Sequence, residues 1–116
     1  MTNTFVHLHN HSQYSLLDGA ASLDQLIERA VQLGMPAIAL TDHGVMHGFV
    51  KFYEKAKAAG IKPIIGCEVY MARRGRQDRV PGIDENPYHL VLLAKNAQGF
   101  ANLSKLVSKS HLEGYY

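Results

Sequence analysis

Hydrophobic and polar positions alternate where the chain begins: Val6 and Leu8 interleave with His7, His9 and His11, the period-two pattern of a half-buried strand. The polar member of each pair is an imidazole. The period then changes. Leu23, Leu26, Ile27, Ala30 and Val31 recur at helical spacing behind a Ser22/Gln25 capping box and stop at Gly34, which predicts an amphipathic helix. After Pro36 the continuous apolar run Ala37 to Leu40 reads as a short strand covered on both faces. A second helix is predicted from about Gly48, with Phe49, Phe52, Tyr53, Ala56 and Ala59 inward, Lys51, Lys55 and Lys57 mostly outward, and Gly60 as its stop. Pro63 to Met71 reads as the third strand and Ala72 to Pro87, rich in Arg, Gly, Pro and Asp, as an exposed loop. Tyr88 to Lys95 is the fourth strand, and Asn96 caps a last helix carrying Phe100, Leu103, Leu106 and Val107.

Strands alternating with helices predict an α/β fold of parallel βαβ units joined by right-handed crossovers. Four strands are too few to close a barrel of about eight, so edges would stay unpaired and the natural chain is expected to continue past Tyr116. Composition narrows the class. The 116 residues, 47% of them hydrophobic, suit a single domain without repeats. No run of about 18 apolar residues occurs, and no basic-then-apolar leader opens the chain, so neither a membrane partner nor secretion is indicated. Cys67, the single cysteine, cannot form an internal disulfide, which fits a cytoplasmic location. The net charge of +2 is too small to argue for nucleic acid by itself, and Arg73, Arg74, Arg76 and Arg79, opposed by Asp78, form the basic cluster.

The unusual polar residues all fall near the carboxyl ends of predicted strands, where parallel α/β folds gather functional groups. His9 and His11 end the first strand, Asp18 sits in the next loop, Asp42 and His43 follow the second strand, and Glu68 lies late in the third. Along a strand the outer two of His7, His9 and His11 would lie about 13 Å apart, too far for one ion, whereas successive ones, about 6.6 Å apart, converge readily. Imidazole with carboxylate suits zinc, manganese or iron, and such a metal lowers the pKa of a bound water and polarises a phosphoryl oxygen. Glu68, inside the apolar run IIGCEVY, needs a cation or other partner to offset its burial. Asp42 is expected either as a ligand or as an acceptor that orients an imidazole. Taken singly, the remaining residues have plainer readings. Cys67 is expected as a small packed hydrophobe, His47 as solvated, His89 as structural at the strand end away from the site, and His111 is left open. Arg73 and Arg74 are a solvated loop or phosphate contacts.

The runs FVHLHNHSQYSLLDG, TDHG, GIKPIIGCEVY and HLVLLAKN together resemble the PHP (polymerase and histidinol phosphatase) domain family, in its bacterial replicative polymerase branch. The resemblance covers essentially the whole chain. It implies a distorted seven-stranded (β/α) barrel, of which residues 1–116 would be the amino-terminal portion, with the rest of the domain and the polymerase core outside it. It also implies up to three divalent ions, zinc or manganese, and a phosphoesterase or 3′ to 5′ exonuclease site within a DNA polymerase catalytic subunit. The family's metal ligands fall on His9, His11, Asp18, His43 and Glu68, leaving His7 as a deeper second-sphere or packing residue. Further ligands are expected beyond Tyr116, so the chain alone would hold about half a site. Partners implied are DNA and other replicase subunits, including a proofreading exonuclease. The competing readings are a metal-stabilised platform without catalysis and a stand-alone phosphatase.

Overall fold

The computed structural model describes residues 4–16 and 18–114; Leu17 of the LLDG run and Tyr116 lie outside the described residues. The element order is α1 (Leu23–Gln32), β1 (Ala37–Leu40), α2 (Phe49–Ala58), β2 (Lys62–Met71), β3 (Tyr88–Leu93) and α3 (Ala97–Glu113). Both predicted caps form. Ser22 Oγ accepts the Gln25 N–H at 3.2 Å while Gln25 Oε1 accepts the Ser22 N–H at 2.9 Å, and Asn96 Oδ1 accepts the Gly99 N–H at 2.9 Å. These bonds satisfy amides that helical geometry would leave orphaned.

Leu23, Ile27 and Ala30 of α1, Ile38 and Leu40 of β1, and Phe52 and Ala56 of α2 form one buried cluster with Met35 and Ile61. β1 is buried at every position, as its continuous apolar run predicts. Phe52 is fully buried at the centre of this cluster, so truncating it leaves a void that the close-packed neighbours fill only in part.

The sheet has the order β1-β2-β3. β1 and β2 are parallel, with Ala37 opposite Lys62 and Leu40 opposite Ile65, as the βαβ reading requires. β3 departs from that reading. It runs antiparallel to β2, Gly66 facing Leu93 and Met71 facing Tyr88, because the connection at 72–87 carries no crossover helix and turns the chain straight back. The sheet is therefore mixed, and the start of β3 lies at the carboxyl end of β2.

The predicted first strand is an extended segment without a regular ladder. The His7 carbonyl accepts the Ala39 N–H at 3.1 Å and the Asn10 carbonyl accepts the Thr41 N–H at 2.9 Å. Three steps along the segment thus match two along β1, the offset of a bulge with one extra residue. Asn10 covers the gap: its Nδ2 donates to the carbonyls of His7 and Ala39, and its own N–H goes to Thr41 Oγ1.

The loop at 72–87 is also more ordered than its composition suggests. Asp84, 9% exposed, pairs with both Arg74 Nε and Arg74 Nη2 and accepts the Val80 N–H at 2.7 Å. Arg73 Nε donates to the Asn86 carbonyl at 2.9 Å with its guanidinium over the Tyr88 ring, and Arg76 reaches Glu113 at the end of α3. Both arginines stay exposed, in keeping with the solvated-loop reading, while their donors serve Asn86, Asp84 and the Tyr88 phenol. The Arg74 hydrogen bond, then the Val80 amide, hold the Asp84 carboxyl below the usual carboxylate range.

Two outcomes are expected. Phe52→Ala should lower the unfolding free energy by about 3–5 kcal/mol, read as a shift in the urea midpoint. Because the folded-state pKa of Asp84 is depressed, its contribution is present above the ordinary aspartate range and fades as pH falls through the folded value. The protection factor of the Val80 amide, corrected for intrinsic exchange, should fall over that acidic range, and Arg74→Ala should weaken that pH dependence.

Candidate metal centre

The bulge sets the phase of the opening histidines. His7, upstream of the extra residue, is exposed, with Phe5 edge-on to it at 4.8 Å between ring centroids, so it does not lie deeper as expected. His9 and His11, downstream, turn toward β2. His9 Nε2 lies 3.0 Å from Glu68 Oε1, and His11 Nε2 lies 3.1 Å from Glu68 Oε2.

Main-chain bonds index the neighbouring segments. The Glu68 N–H donates to the Asp42 carbonyl at 3.0 Å and the Gly44 N–H to the Glu68 carbonyl at 2.9 Å, which sets His43 beside Glu68. His43 Nδ1 is 2.6 Å from Glu68 Oε2, and its Nε2 is 2.7 Å from Asp18 Oδ2. Asp18 also meets His11 Nδ1, at 2.9 Å. The loop that carries Asp18 is wound tightly. A Cβ on Gly19 would stand 1.7 Å from the Ser12 carbonyl oxygen, so only glycine permits this return.

His11, Asp18, His43 and Glu68 close a ring in which each imidazole lies between two carboxylates. A neutral imidazole carries one N–H and so cannot donate from both nitrogens. On the Asp18 side the geometry is that of hydrogen bonds. On the Glu68 side it is not: His11 Nε2 and Glu68 Oε2 are both buried and neither has a hydrogen-bond partner. With a neutral His11 ring that donates to Asp18, two lone pairs would face each other across 3.1 Å, an arrangement that a cation between or beside them relieves. Burial raises the Asp18 carboxyl, but the hydrogen bond from His43 and the charges of His11 and His43 outweigh it and hold the group below its usual value.

His89 joins the cluster from β3. Its Nδ1 lies 3.6 Å from Glu68 Oε1 and its ring stands edge-on to His43 at 5.6 Å. The expectation that His89 lies away from the site fails because it assumed a parallel strand; the antiparallel pairing, with Tyr70 opposite His89, reverses the end at which the residue falls. Tyr70 was missed altogether. Its ring stacks on His43 with 6.0 Å between centroids and meets His89 edge-on at 5.0 Å, and its phenol lies 3.4 Å from His43 Nδ1. Its place two residues after Glu68, on the same face of the strand, is the sequence signal that would have found it. Burial, then the charges of Glu68 and Asp18, raise its pKa.

Three groups of side chains bring their ligand atoms within 4.8 Å of one another: His9, His11 and Glu68; His11, Asp18 and His43; and His43, Glu68 and His89. Shared members link all three. The nitrogen and oxygen donor set and the orphaned pair fit a divalent metal ion. Asp42 is not among these groups and touches no imidazole; its carboxylate accepts from Ser12 and Ser15. His111 Nε2 donates to the Gly44 carbonyl, 2.9 Å away, outside the ring of ligand atoms. Cys67 is fully buried with Sγ 3.3 Å from the Asp42 carbonyl, in keeping with a packed residue. Beside the cluster opens a cavity of about 390 Å³ lined by Tyr14, Leu16, Val45, His47, Tyr70 and His89 among others.

A mixed α/β sheet whose carboxyl end gathers histidines and carboxylates into linked metal-binding groups defines a class, and residues 7–116 match the PHP domain family, to which the chain belongs. Among relatives, the DNA polymerase III subunit alpha of Borreliella burgdorferi is 54% identical over 113 residues, covering 97% of this chain and 10% of that protein. The corresponding subunit of Thermus aquaticus is 50% identical over 116 residues, with the same coverage of 97% and 10%. The chain thus spans about a tenth of the length of these relatives. Among solved structures, an amidohydrolase from Chromobacterium violaceum with bound sulfate and no metal superposes with a TM-score of 0.57 at 27% identity. That match covers 97% of this chain and 35% of the other. Among the described residues no helix is long and apolar enough to cross a membrane.

Burial raises the Cys67 thiol to about 11. At pH 8 only about a thousandth would then be thiolate, so iodoacetamide should leave Cys67 unmodified in the native chain and alkylate it on unfolding, as read by mass spectrometry.

Proposed function

We propose that this chain is the amino-terminal part of the PHP domain of a replicative DNA polymerase alpha subunit, and that its cluster is a divalent metal centre for phosphoester hydrolysis. The single observation that carries the metal reading is the buried, unpartnered pair His11 Nε2 and Glu68 Oε2. His9, His11, Asp18, His43 and Glu68 would hold zinc or manganese, with His89 as a sixth ligand. Up to three ions would occupy the intact domain, with further ligands supplied after residue 116. Bound there, the metal supplies Lewis acidity at the phosphoryl group and a more acidic water.

The chain's own residues do the remaining work. Asp18 holds His11 and His43 through one hydrogen bond to each ring, which fixes the tautomer in which the other nitrogen offers a lone pair. Tyr70 pins the His43 and His89 planes by stacking and edge contact. The cavity beside the cluster, with apolar Leu16 and Val45 next to Tyr14 and Tyr70, admits the organic part of a phosphoester. On this reading the parent chain extends DNA, acts in the cytoplasm, and works with other replicase subunits, among them a proofreading exonuclease. The similarity to DNA polymerase III alpha subunits across 97% of this chain supports that assignment.

The test uses the full-length chain with zinc or manganese, on 3′-recessed DNA and on a generic phosphoester. Turnover of at least one substrate is expected, with His11→Ala and His89→Ala each lowering it at least about 100-fold and reducing metal content, while His7→Ala leaves both unchanged. Metal binding without turnover of either substrate would show that the centre is not hydrolytic.

A further inference from the structure

Asp42 is 1% exposed, the least accessible acid among the described residues, yet its carboxylate turns away from the imidazoles. It accepts the Ser12 N–H at 2.6 Å, the Ser12 hydroxyl at 2.8 Å and the Ser15 hydroxyl at 3.2 Å. Ser15 Oγ in turn accepts the His43 N–H at 2.8 Å. The main chain of Asp42 takes the Glu68 N–H at 3.0 Å. These bonds tie together pieces of chain that are distant in sequence. Ser12 directly follows His11, Ser15 precedes Asp18 by one turn, His43 is the next residue after Asp42, and Glu68 lies on β2.

We infer that Asp42 is a positioning residue for the metal centre, fixing the 11–18 loop against His43 and Glu68 while contacting none of their side chains. The inference rests on the proposed metal reading. Its physical basis is that a buried carboxylate cannot be left without donors, so Ser12 and Ser15 are drawn to it more firmly than to a neutral group. The loop between them is thereby held in the one arrangement that puts His11 Nδ1 and His43 Nε2 on the same oxygen of Asp18. Preorganisation of this kind acts on affinity, because groups not held in place beforehand must be ordered when the metal binds.

The test is a zinc titration of the full-length chain against a chromophoric chelator. Asp42→Asn keeps the shape and removes the charge; zinc affinity should fall about 10- to 100-fold with an unchanged far-UV circular dichroism spectrum of the metal-free protein. Ser15→Ala, which removes the relay to the His43 amide, should lose a smaller factor, and the double variant should lose less than the product of the two. Asp84→Asn, a buried acid that serves Arg74, should bind zinc as the wild type does. Zinc affinity of Asp42→Asn within about twofold of wild type overturns the inference. Where Asp42→Asn fails to fold, Ser12→Ala and Ser15→Ala carry the test, and unchanged affinity in both overturns it. A wild-type chain that binds no zinc overturns this inference together with the metal reading, whereas an unaffected Asp42→Asn chain overturns this inference alone.

Discussion

The burial of the Glu68 carboxylate is the constraint around which the carboxyl end of the sheet is organised. A charged group at 4% exposure between two other strands is costly unless something nearby neutralises or binds it. Among the described residues no Lys or Arg pairs with it. Instead His9, His11, His43 and His89 approach its two oxygens from the opening segment, the turn after β1, and β3. Imidazoles deliver donors and lone pairs on rigid planes, so they compensate the charge only in part and leave a geometry that a cation completes. The fold places β2 in the middle of its sheet, and this is what allows ligands from both sides to reach one carboxylate.

How much of this was legible in the sequence depended on whether the signal was local. The capping box at Ser22, the cap at Asn96 and the apolar run of β1 are set by residues within a turn of one another and form as read, whereas the helix faces do so only in part: Phe52, Ala56 and Leu103 are buried, but Val31, Tyr53, Ala59 and Leu106 stay exposed. The candidates His9, His11, Asp18, His43 and Glu68 were legible as a set because each lies near the carboxyl end of a predicted strand, and the structure brings those five together. What composition cannot encode is strand direction. A 16-residue loop without helix periodicity returns β3 antiparallel, and that single fact moves His89 from the far end of the sheet to the cluster and puts Tyr70 beside it. The bulge between His7 and Asn10 was equally hidden. Period-two alternation makes His7, His9 and His11 equivalent, and only the offset against β1 separates the first from the others.

Charge partners were the second class of misreading, for a related reason. Arg73 and Arg74 stand in a stretch of like charges, which reads as a solvated or phosphate-seeking patch. Asp84, ten residues after Arg74, answers it only because the loop folds back on itself, and a bidentate Arg–Asp pair with an added amide donor is a better partner than water. Asp42 was misplaced in the opposite direction. Adjacent to His43, it reads as an acceptor for an imidazole. The serines of HSQYS claim it instead, since hydroxyl and amide donors satisfy a buried carboxylate without requiring a second charge.

The cluster also joins two parts of the molecule that are covered very differently. α1, β1 and α2 enclose the main core, whereas β3 and α3 keep Leu90, Leu93, Leu106 and Leu112 largely in solvent, with Leu103 the buried residue of α3. Glu68 belongs to β2, which pairs with both parts. His43 is anchored on the well-packed side and His89 on the exposed one, and His111 of α3 reaches across to the Gly44 carbonyl. Whatever binds the cluster therefore binds both parts at once, and by linkage its binding energy appears as stability of β3 against β2. Apolar packing alone gives the β3 side little support, and a metal held by the cluster, as proposed, would supply the cross-link that burial there does not. On the proposed reading the centre would be a structural bond as well as a reactive site, and the two roles would depend on the same residues. A ligand change that abolishes chemistry would loosen β3 as well, whereas a change confined to the cavity lining at Leu16 or Val45 would alter substrate fit and leave the cross-link intact.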